Sequence, residues 1–246
     1  MKVVAITQAR MTSTRLPGKV MLPILGRSIL EWHVERVRRA ELVDDVVVAT
    51  TENASDDVIC EAARQLGVGC FRGDEHNVLS RYLAAANEFD ADIVVRVTSD
   101  CPLIDPCVID QTIRAFLDAE PSVDYASNRA VQTYPRGLDT EVLSKDLLAL
   151  ADREADRPDD REHVTLFVWR QPERFRVKNV PCHVDLSQHR WTVDTAEDFD
   201  LVSRILGAVG GDGPGFTLED CLRAIEMNPE WPIINAHIIQ KALNAT

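Results

Sequence analysis

The 246-residue sequence has no Cys-x-x-Cys pair, no cysteine with a histidine at zinc-finger distance, and no apolar run approaching the ~20 residues needed to cross a bilayer. Its six cysteines, Cys60, Cys70, Cys101, Cys107, Cys182 and Cys221, are scattered and read as reduced, mostly structural thiols. Cys182-His183 is the one adjacent pair of soft ligands and reads as packing rather than metal binding. Positive charge is scarce as well. With 27 Lys and Arg against 40 Asp and Glu, the net charge is −13, which argues against broad binding of nucleic acid or anionic membranes because both need excess cations to displace counterions. Any polyanion site must therefore be local. The amino-terminal stretch lacks the apolar core of a signal peptide, so the expectation is a soluble, cytoplasmic protein. No internal repeat or low-complexity tract is visible. Aromatic residues make up only 6% of the chain, and Trp32, Phe167, Trp169 and Trp231 fall where helices would bury them.

What the chain does contain is a regular alternation of elements. An apolar strand, Val3 to Ile6, runs into a polar loop, and Ser28 then caps a helix carrying Ile29, Leu30, His33, Val34 and Val37 at helical spacing up to Arg38-Arg39. Asp45 to Thr50 reads as a buried strand, Ser55 to Leu66 as a helix capped by Ser55 and stopped by Gly67, and Val68 to Phe71 as a short strand. Asn77 to Glu88 is helical and Ile93 to Val97 a strand covered on both faces. This rhythm predicts an α/β fold: a Rossmann-like, mostly parallel sheet flanked by helices, with ligands gathering outside the carboxyl ends of the strands.

The second half reads as helices over Pro106–Leu117, Ser144–Asp156 and Arg161–Arg170, with strands over Asp124–Ser127, Asp139–Leu143, Phe175–Val180 and Arg190–Val193. Thr195 caps a helix to Leu206. Residues 1–206 are expected to form the main domain, with a small irregular insertion over about 124–185. Five glycines and a proline mark 207–215 as a linker, and 216–246 as a helical end segment, with amphipathic stretches at Leu218–Met227 and Ile233–Leu243.

Chemistry is suggested first by the loop after the opening strand, Gln8-Ala9-Arg10-Met11-Thr12-Ser13-Thr14-Arg15-Leu16-Pro17-Gly18-Lys19. Arg offers a planar fork matched to phosphate oxygens, Lys a compact charge, and Ser, Thr and Gly let backbone N–H groups approach closely. Three cations within ten residues of an acidic chain point to a phosphate-rich ligand. Asp100, just after the strand Ile93 to Val97, and Asp194, in Trp191-Thr192-Val193-Asp194-Thr195, are each expected to end a strand. Two such carboxylates could bracket one Mg²⁺, which prefers oxygen ligands and shares them with substrate phosphates. Taken singly, Asp194 is as well explained as a helix N-cap and Asp100 as a turn residue.

The loop resembles the nucleotide-binding signature of sugar-acid cytidylyltransferases, the enzymes that make CMP-activated deoxyoctulosonate and neuraminate, and most nearly that of the spore coat polysaccharide branch. The likeness continues in order through Phe71-Arg72-Gly73-Asp74-Glu75, Asn77-Val78-Leu79-Ser80-Arg81-Tyr82, Thr98-Ser99-Asp100-Cys101-Pro102-Leu103-Ile104, Tyr134-Pro135-Arg136-Gly137-Leu138-Asp139, Arg161-Glu162-His163-Val164-Thr165 and Trp191 to Thr195, covering about the first 205 residues. The resemblance implies a fold of the nucleotide-diphospho-sugar transferase type and transfer of CMP from CTP to a sugar or sugar-acid hydroxyl, with Mg²⁺ as cofactor and pyrophosphate released. It assigns catalysis to Arg10, Arg15, Lys19 and Asp100 and nucleotide binding to Ala9, Arg10, Ser13, Arg15, Lys19, Arg81, Thr98 and Ser99. Asp100 and Asp194 would hold the metal.

Tyr134, Arg136, Glu141, Glu162 and His163 are the acceptor-side candidates, with Arg136 the natural partner of a carboxylate. His163 reads equally well as a packed surface histidine and Glu162 as a surface charge. Where the deoxyoctulosonate enzymes carry Gln-Gly-Asp this chain has Thr98-Ser99-Asp100, so the choice of CTP rests on the resemblance. The irregular insertion leaves room for a homodimer contact. Two other readings stay open: a nucleotide-sugar glycosyltransferase, which more usually carries an Asp-x-Asp pair, and a nucleotide-binding protein without catalysis.

Overall fold

The computed structural model describes residues 1–240. In chain order the strands are β1 (Val3–Gln8), β2 (Pro23–Ile24), β3 (Arg27–Ser28), β4 (Asp45–Thr51), β5 (Gly69–Gly73), β6 (Ile93–Thr98), β7 (Tyr125–Ser127), β8 (Glu141–Ser144) and β9 (Val177–Asn179). The helices are α1 (Ile29–Val37), α2 (Asp57–Leu66), α3 (Val78–Glu88), α4 (Pro106–Leu117), α5 (Lys145–Glu154), α6 (Pro158–His163), α7 (Leu166–Trp169), α8 (Ala196–Val209) and α9 (Leu218–Met227).

Seven strands form one sheet in the order β5-β4-β1-β6-β8-β7-β9, and β2 and β3 form a separate antiparallel pair. The first four strands are parallel, β8 runs antiparallel to β6 and to β7, and β9 is parallel to β7. The stretch expected as an irregular insertion therefore continues the central sheet through β7, β8 and β9. Because β4 and β6 pair with opposite sides of β1, the strand order reverses beside β1, and a crevice opens at the carboxyl ends of β1 and β6.

Alternating side chains feed two cores. Val4, Ile6, Val47 and Val94 pack with Leu79, Tyr82, Leu147 and Leu148 from α3 and α5 on one face, while Ala5, Val46, Val48 and Val95 pack with Leu30, Val34, Ile59 and Ile109 from α1, α2 and α4 on the other. A third cluster joins Trp32 and Trp191 to Leu201 and Val202 of α8, Phe216, and Leu218 and Ile225 of α9. The described part of the helical end segment thus packs against α1 and α8. Arg36, fully buried, fastens it: its guanidinium lies 3.6 Å from the Phe216 ring and donates to the carbonyls of Pro214 and Phe216, each at 2.9 Å.

Helix α8 runs through Gly207 to Val209, so only the later part of 207–215 is loop. Ser55 lies in a 3-10 turn and does not cap α2. The helix expected over Arg161–Arg170 is two short helices broken at Val164, whose φ is +56°. The strand expected at Arg190–Val193 is reduced to a single bridge between Arg190 and Arg136. At Ile233–Leu243, a 3-10 turn at Trp231–Ile233 replaces the start of the expected helix, and 241–243 lie outside the described residues. Among the described residues no helix is long and apolar enough to cross a membrane.

Candidate active site

The cationic loop leaves β1 and returns on itself: Gly18 N–H donates to the Met11 carbonyl at 2.9 Å. Gly18 makes this closure possible, since its φ of +69° is left-handed and a Cβ there would stand 3.1 Å from Met11 Cε. Buried Asp56 holds the other end, accepting from Met11 N–H at 2.9 Å and from the hydroxyls of Thr50 and Thr51. The closed loop turns Lys19 inward, and its side chain is only 11% exposed.

Asp100 meets it from the end of β6. The turn is pinned to β1 by Ser99 Oγ, which donates to the Gln8 carbonyl at 2.6 Å. Asp194 arrives from the far end of the chain because Val193 N–H donates to the Asp100 carbonyl at 2.8 Å. Behind it, Trp191 N–H donates to the Arg136 carbonyl at 2.7 Å, and Gly137 lets the two segments close: its φ is +109°, and a Cβ would stand 2.7 Å from the Trp191 carbonyl carbon. Thr195 and Asp198 then form a capping box that starts α8 immediately after Asp194.

Lys19 Nζ donates to Asp100 Oδ2 at 2.7 Å and to Asp194 Oδ1 at 2.8 Å. The other oxygen of Asp194 is shared by Arg15 at 2.9 Å and Arg190 at 2.8 Å. Burial disfavours the ammonium of Lys19, but attraction from Asp100 and Asp194 outweighs it and the pKa is raised. Burial likewise opposes ionisation of Asp100, and Lys19 overrides it, holding the carboxyl at about 2. Both groups are charged at neutral pH. Arg10, on the same loop, pairs with Glu75 at 3.3 Å, and Glu75 also accepts from Thr12 and, at 2.7 Å, from Asn53.

These residues line one open cleft of about 940 Å³. Ala9, Arg10, Ser13, Arg15, Lys19, Arg81, Thr98, Ser99, Asp100 and Asp194 all face it, as do Glu162 and His163 from the end of α6. Arg81 is 3% exposed, donates to the Asp74 carbonyl at 2.6 Å, and has no hydrogen-bond partner for its Nε among the described residues. Burial lowers its pKa. Burial also lowers the pKa of His163, with Arg96 and Arg129 adding to the effect. The break after His163 is a classic γ-turn at Val164, where Thr165 N–H donates to the His163 carbonyl at 2.5 Å, a strained conformation for a β-branched residue.

Three residues expected on the acceptor side are not brought to the cleft. Glu141 is 1% exposed and lies inside the fold, paired with Arg96, accepting from Tyr125 Oη at 2.5 Å and from Thr165 Oγ1 at 2.6 Å. Tyr134 is buried in the third core with its hydroxyl donating to Gln111 at 3.0 Å. The backbone of Arg136 is committed to His189 and Trp191. Glu141 fixes Thr165 beside the γ-turn, and the backbone of segment 134–137 sets the path to Asp194.

The sequence reading also passed over Glu75, Asp56, Arg190, Asp198, Asn235 and Gln240. Glu75 ends Phe71-Arg72-Gly73-Asp74-Glu75, where an acid opposite a cationic loop marks it. Arg190 donates to Asp194, Asp198 and Gln240, while Asn235, 4% exposed, donates to the Arg190 carbonyl at 2.9 Å and to Asp198 at 2.8 Å. Contacts separated by 45 and 50 positions leave no local pattern.

A cation loop facing two carboxylates at the switch point of a mostly parallel sheet defines an α/β protein whose crevice suits a phosphate-bearing ligand. The chain belongs to the cytidylyltransferase family, whose pattern it matches over residues 4–205. It is 36% identical to a cytidylyltransferase of known structure from Leptospira borgpetersenii, with a TM-score of 0.91 over 98% of this chain and all (100%) of that one. It is 32% identical to the spore coat polysaccharide biosynthesis protein SpsF of Bacillus subtilis over 92% of this chain and 94% of that protein. A CMP:2-keto-3-deoxy-manno-octonic acid synthetase solved with CTP has a TM-score of 0.66 at 18% identity, covering 84% of this chain and 99% of that one, a likeness of fold.

The donor set fits a divalent ion of the Mg²⁺ kind. Asp100 Oδ2 and Asp194 Oδ1 converge on one point, already accept a cation there, and are hard oxygen ligands. Among the described residues no group of three or more His, Cys, Asp or Glu side chains could hold a metal ion, so two carboxylates would need ligands from the substrate.

Proposed function

We propose that this protein transfers CMP from CTP to a hydroxyl of a sugar or sugar acid and releases pyrophosphate. The observation that carries the reading is the convergence of Arg15, Lys19, Asp100 and Asp194 in one cleft of a chain belonging to the cytidylyltransferase family. SpsF is named for spore coat polysaccharide biosynthesis, and the structural neighbour was solved with CTP; both favour a nucleotide-sugar product for glycan assembly.

Attack on the α-phosphorus builds charge on the equatorial oxygens and on the departing pyrophosphate. Arg10, Arg15 and Lys19 supply fixed positive charge for those oxygens, so the protein contributes positioning and electrostatic stabilisation without a covalent nucleophile. Asp100 and Asp194 would hold Mg²⁺, which when bound would neutralise phosphate charge and favour ionisation of the attacking hydroxyl. Arg81, Thr98 and Ser99 take the base and ribose, with Ala9 and Ser13 at the phosphate loop. Glu162 and His163, across the cleft, take the acceptor. With its pKa lowered, His163 is neutral at pH 7 and offers one donor and one acceptor to sugar hydroxyls.

Thermal-shift measurements with each nucleoside triphosphate and Mg²⁺ test the reading, since a ligand that binds only the native state raises the melting temperature. The largest shift is expected with CTP. Absence of a shift with any triphosphate would remove the nucleotide site from the proposal.

A further inference from the structure

The point between Asp100 and Asp194 already contains a cation. Lys19 Nζ lies 2.7 Å from one carboxylate and 2.8 Å from the other, and its side chain is 11% exposed. Asp194 Oδ2 is taken by Arg15 and Arg190, so Oδ1, the oxygen that faces Lys19, is the one left to turn toward a ligand. An ammonium and a divalent ion cannot both sit between the same two oxygens, because their charges repel at contact distance.

We infer that Lys19 is the resident counter-ion of the divalent-metal site, and that metal enters only with the triphosphate, which draws Lys19 off the two aspartates. The inference rests on the metal reading of Asp100 and Asp194 and adds an order of events to it. Two features of the chain support it. Lys19 has a flexible four-carbon stem and lies on the same loop as Arg10 and Arg15, so its ammonium can exchange a carboxylate for a phosphate oxygen without movement of the strand ends. The protein also presents only two carboxylates and no third side-chain ligand among the described residues, so an ion arriving without nucleotide has to displace a charged partner for two ligands. A triphosphate supplies both missing terms: further oxygens for the metal and a new anion for Lys19. The resident lysine keeps the aspartates paired while the site waits, avoiding two uncompensated carboxylates facing each other.

Mn²⁺ serves as the probe, followed by electron paramagnetic resonance. Without nucleotide the unaltered protein should bind Mn²⁺ only weakly, and adding CTP should create a tight site. Lys19→Met removes the resident charge and should bind Mn²⁺ in the absence of nucleotide at least about tenfold more tightly than the unaltered protein. The double variant carrying Lys19→Met and Asp100→Asn should lose that gain. If Lys19→Met binds Mn²⁺ alone no better than the unaltered protein, while both still bind it with CTP, lysine is not the barrier and the inference fails. If CTP brings no Mn²⁺ to either protein, the metal reading itself fails and takes the inference with it.

Should Lys19→Met not fold, the unaltered protein supplies the second readout. The Lys19 ammonium resonance, observed by nuclear magnetic resonance, should stay in place as Mg²⁺ is added alone and move when CTP follows. Movement with Mg²⁺ alone over the same concentrations would overturn the order of events.

Discussion

Asp194 receives Lys19 on one oxygen and Arg15 and Arg190 on the other, so a single carboxylate ties the cationic loop after β1 to the carboxyl-terminal third of the chain. Lys19→Ala should therefore lower kcat about 100-fold or more, by the measure of losing one preorganised charge, and should also lower the melting temperature because Asp100 and Asp194 are left without their shared cation. Normal turnover in that variant would remove the loop from the chemistry. Glu141 lies inside the fold, away from the cleft. Burial opposes its charge, but Arg96 and Arg129 override this and hold its carboxyl at about 2. Glu141→Gln leaves Arg96 buried without its counter-charge and should destabilise the fold by about 3–5 kcal/mol in urea unfolding. His33 makes stability depend on pH. Burial holds the imidazole at about 4 against an ordinary 6.5, with Nδ1 bonded to the Cys101 carbonyl at 3.0 Å. The unfolded chain then binds a proton that the native state refuses, so stability is full above about pH 6.5 and falls by up to about 3 kcal/mol as pH drops toward 4. His33→Gln should flatten that slope in denaturant melts taken at successive pH values; an unchanged slope would assign it to another group.

Local physics sets most of the elements, and these are the parts that the sequence makes legible. Ser28, Asn77 and Thr195 cap their helices through their own side chains, and α4 and α9 run between the residues that their apolar spacing marks. The cationic loop after β1 and Asp100 stand where residue types and a strand end mark them, whereas the strand expected before Asp194 is only the Arg190–Arg136 bridge. The γ-turn at Val164 has no such mark. Thr165 there bonds to Glu141, 24 positions away, and that buried contact breaks a helix which periodicity alone would continue. Contacts of the same long reach hold Glu141 inside the fold and Tyr134 in the third core, away from the cleft lining. Gly137 bears the clearest burden among these elements, since it lets segment 134–137 close on Trp191 and so directs Asp194 toward Lys19. Gly137→Ala should destabilise the protein by about 2 kcal/mol or more, through strain at positive φ and the clash with the Trp191 backbone. Turnover should fall with it, measured on the folded fraction; full activity there would mean that Asp194 does not depend on this junction.

Across the whole molecule, residues beyond the family match of 4–205 complete the site instead of forming a separate unit. Asn235 is buried against Arg190 and Asp198, and Gln240 both lines the cleft and accepts from Arg190 at 2.5 Å. Removing the chain from Asn235 onward should lower kcat/KM for nucleotide more than it lowers melting temperature, because Arg190 loses the partners that aim it at Asp194. Equal kcat/KM in the shortened protein would show that the segment is only packing. In an acidic chain, Arg10, Arg15 and Lys19 bring positive charge to one cleft, each paired there to a carboxylate. The most direct test is pyrophosphate release from CTP, Mg²⁺ and a panel of sugar and sugar-acid acceptors, run with the unaltered protein and with Asp100→Asn. Release should require both CTP and an acceptor and should collapse in the variant. No release from any nucleoside triphosphate with any acceptor, or equal release from Asp100→Asn, would contradict it.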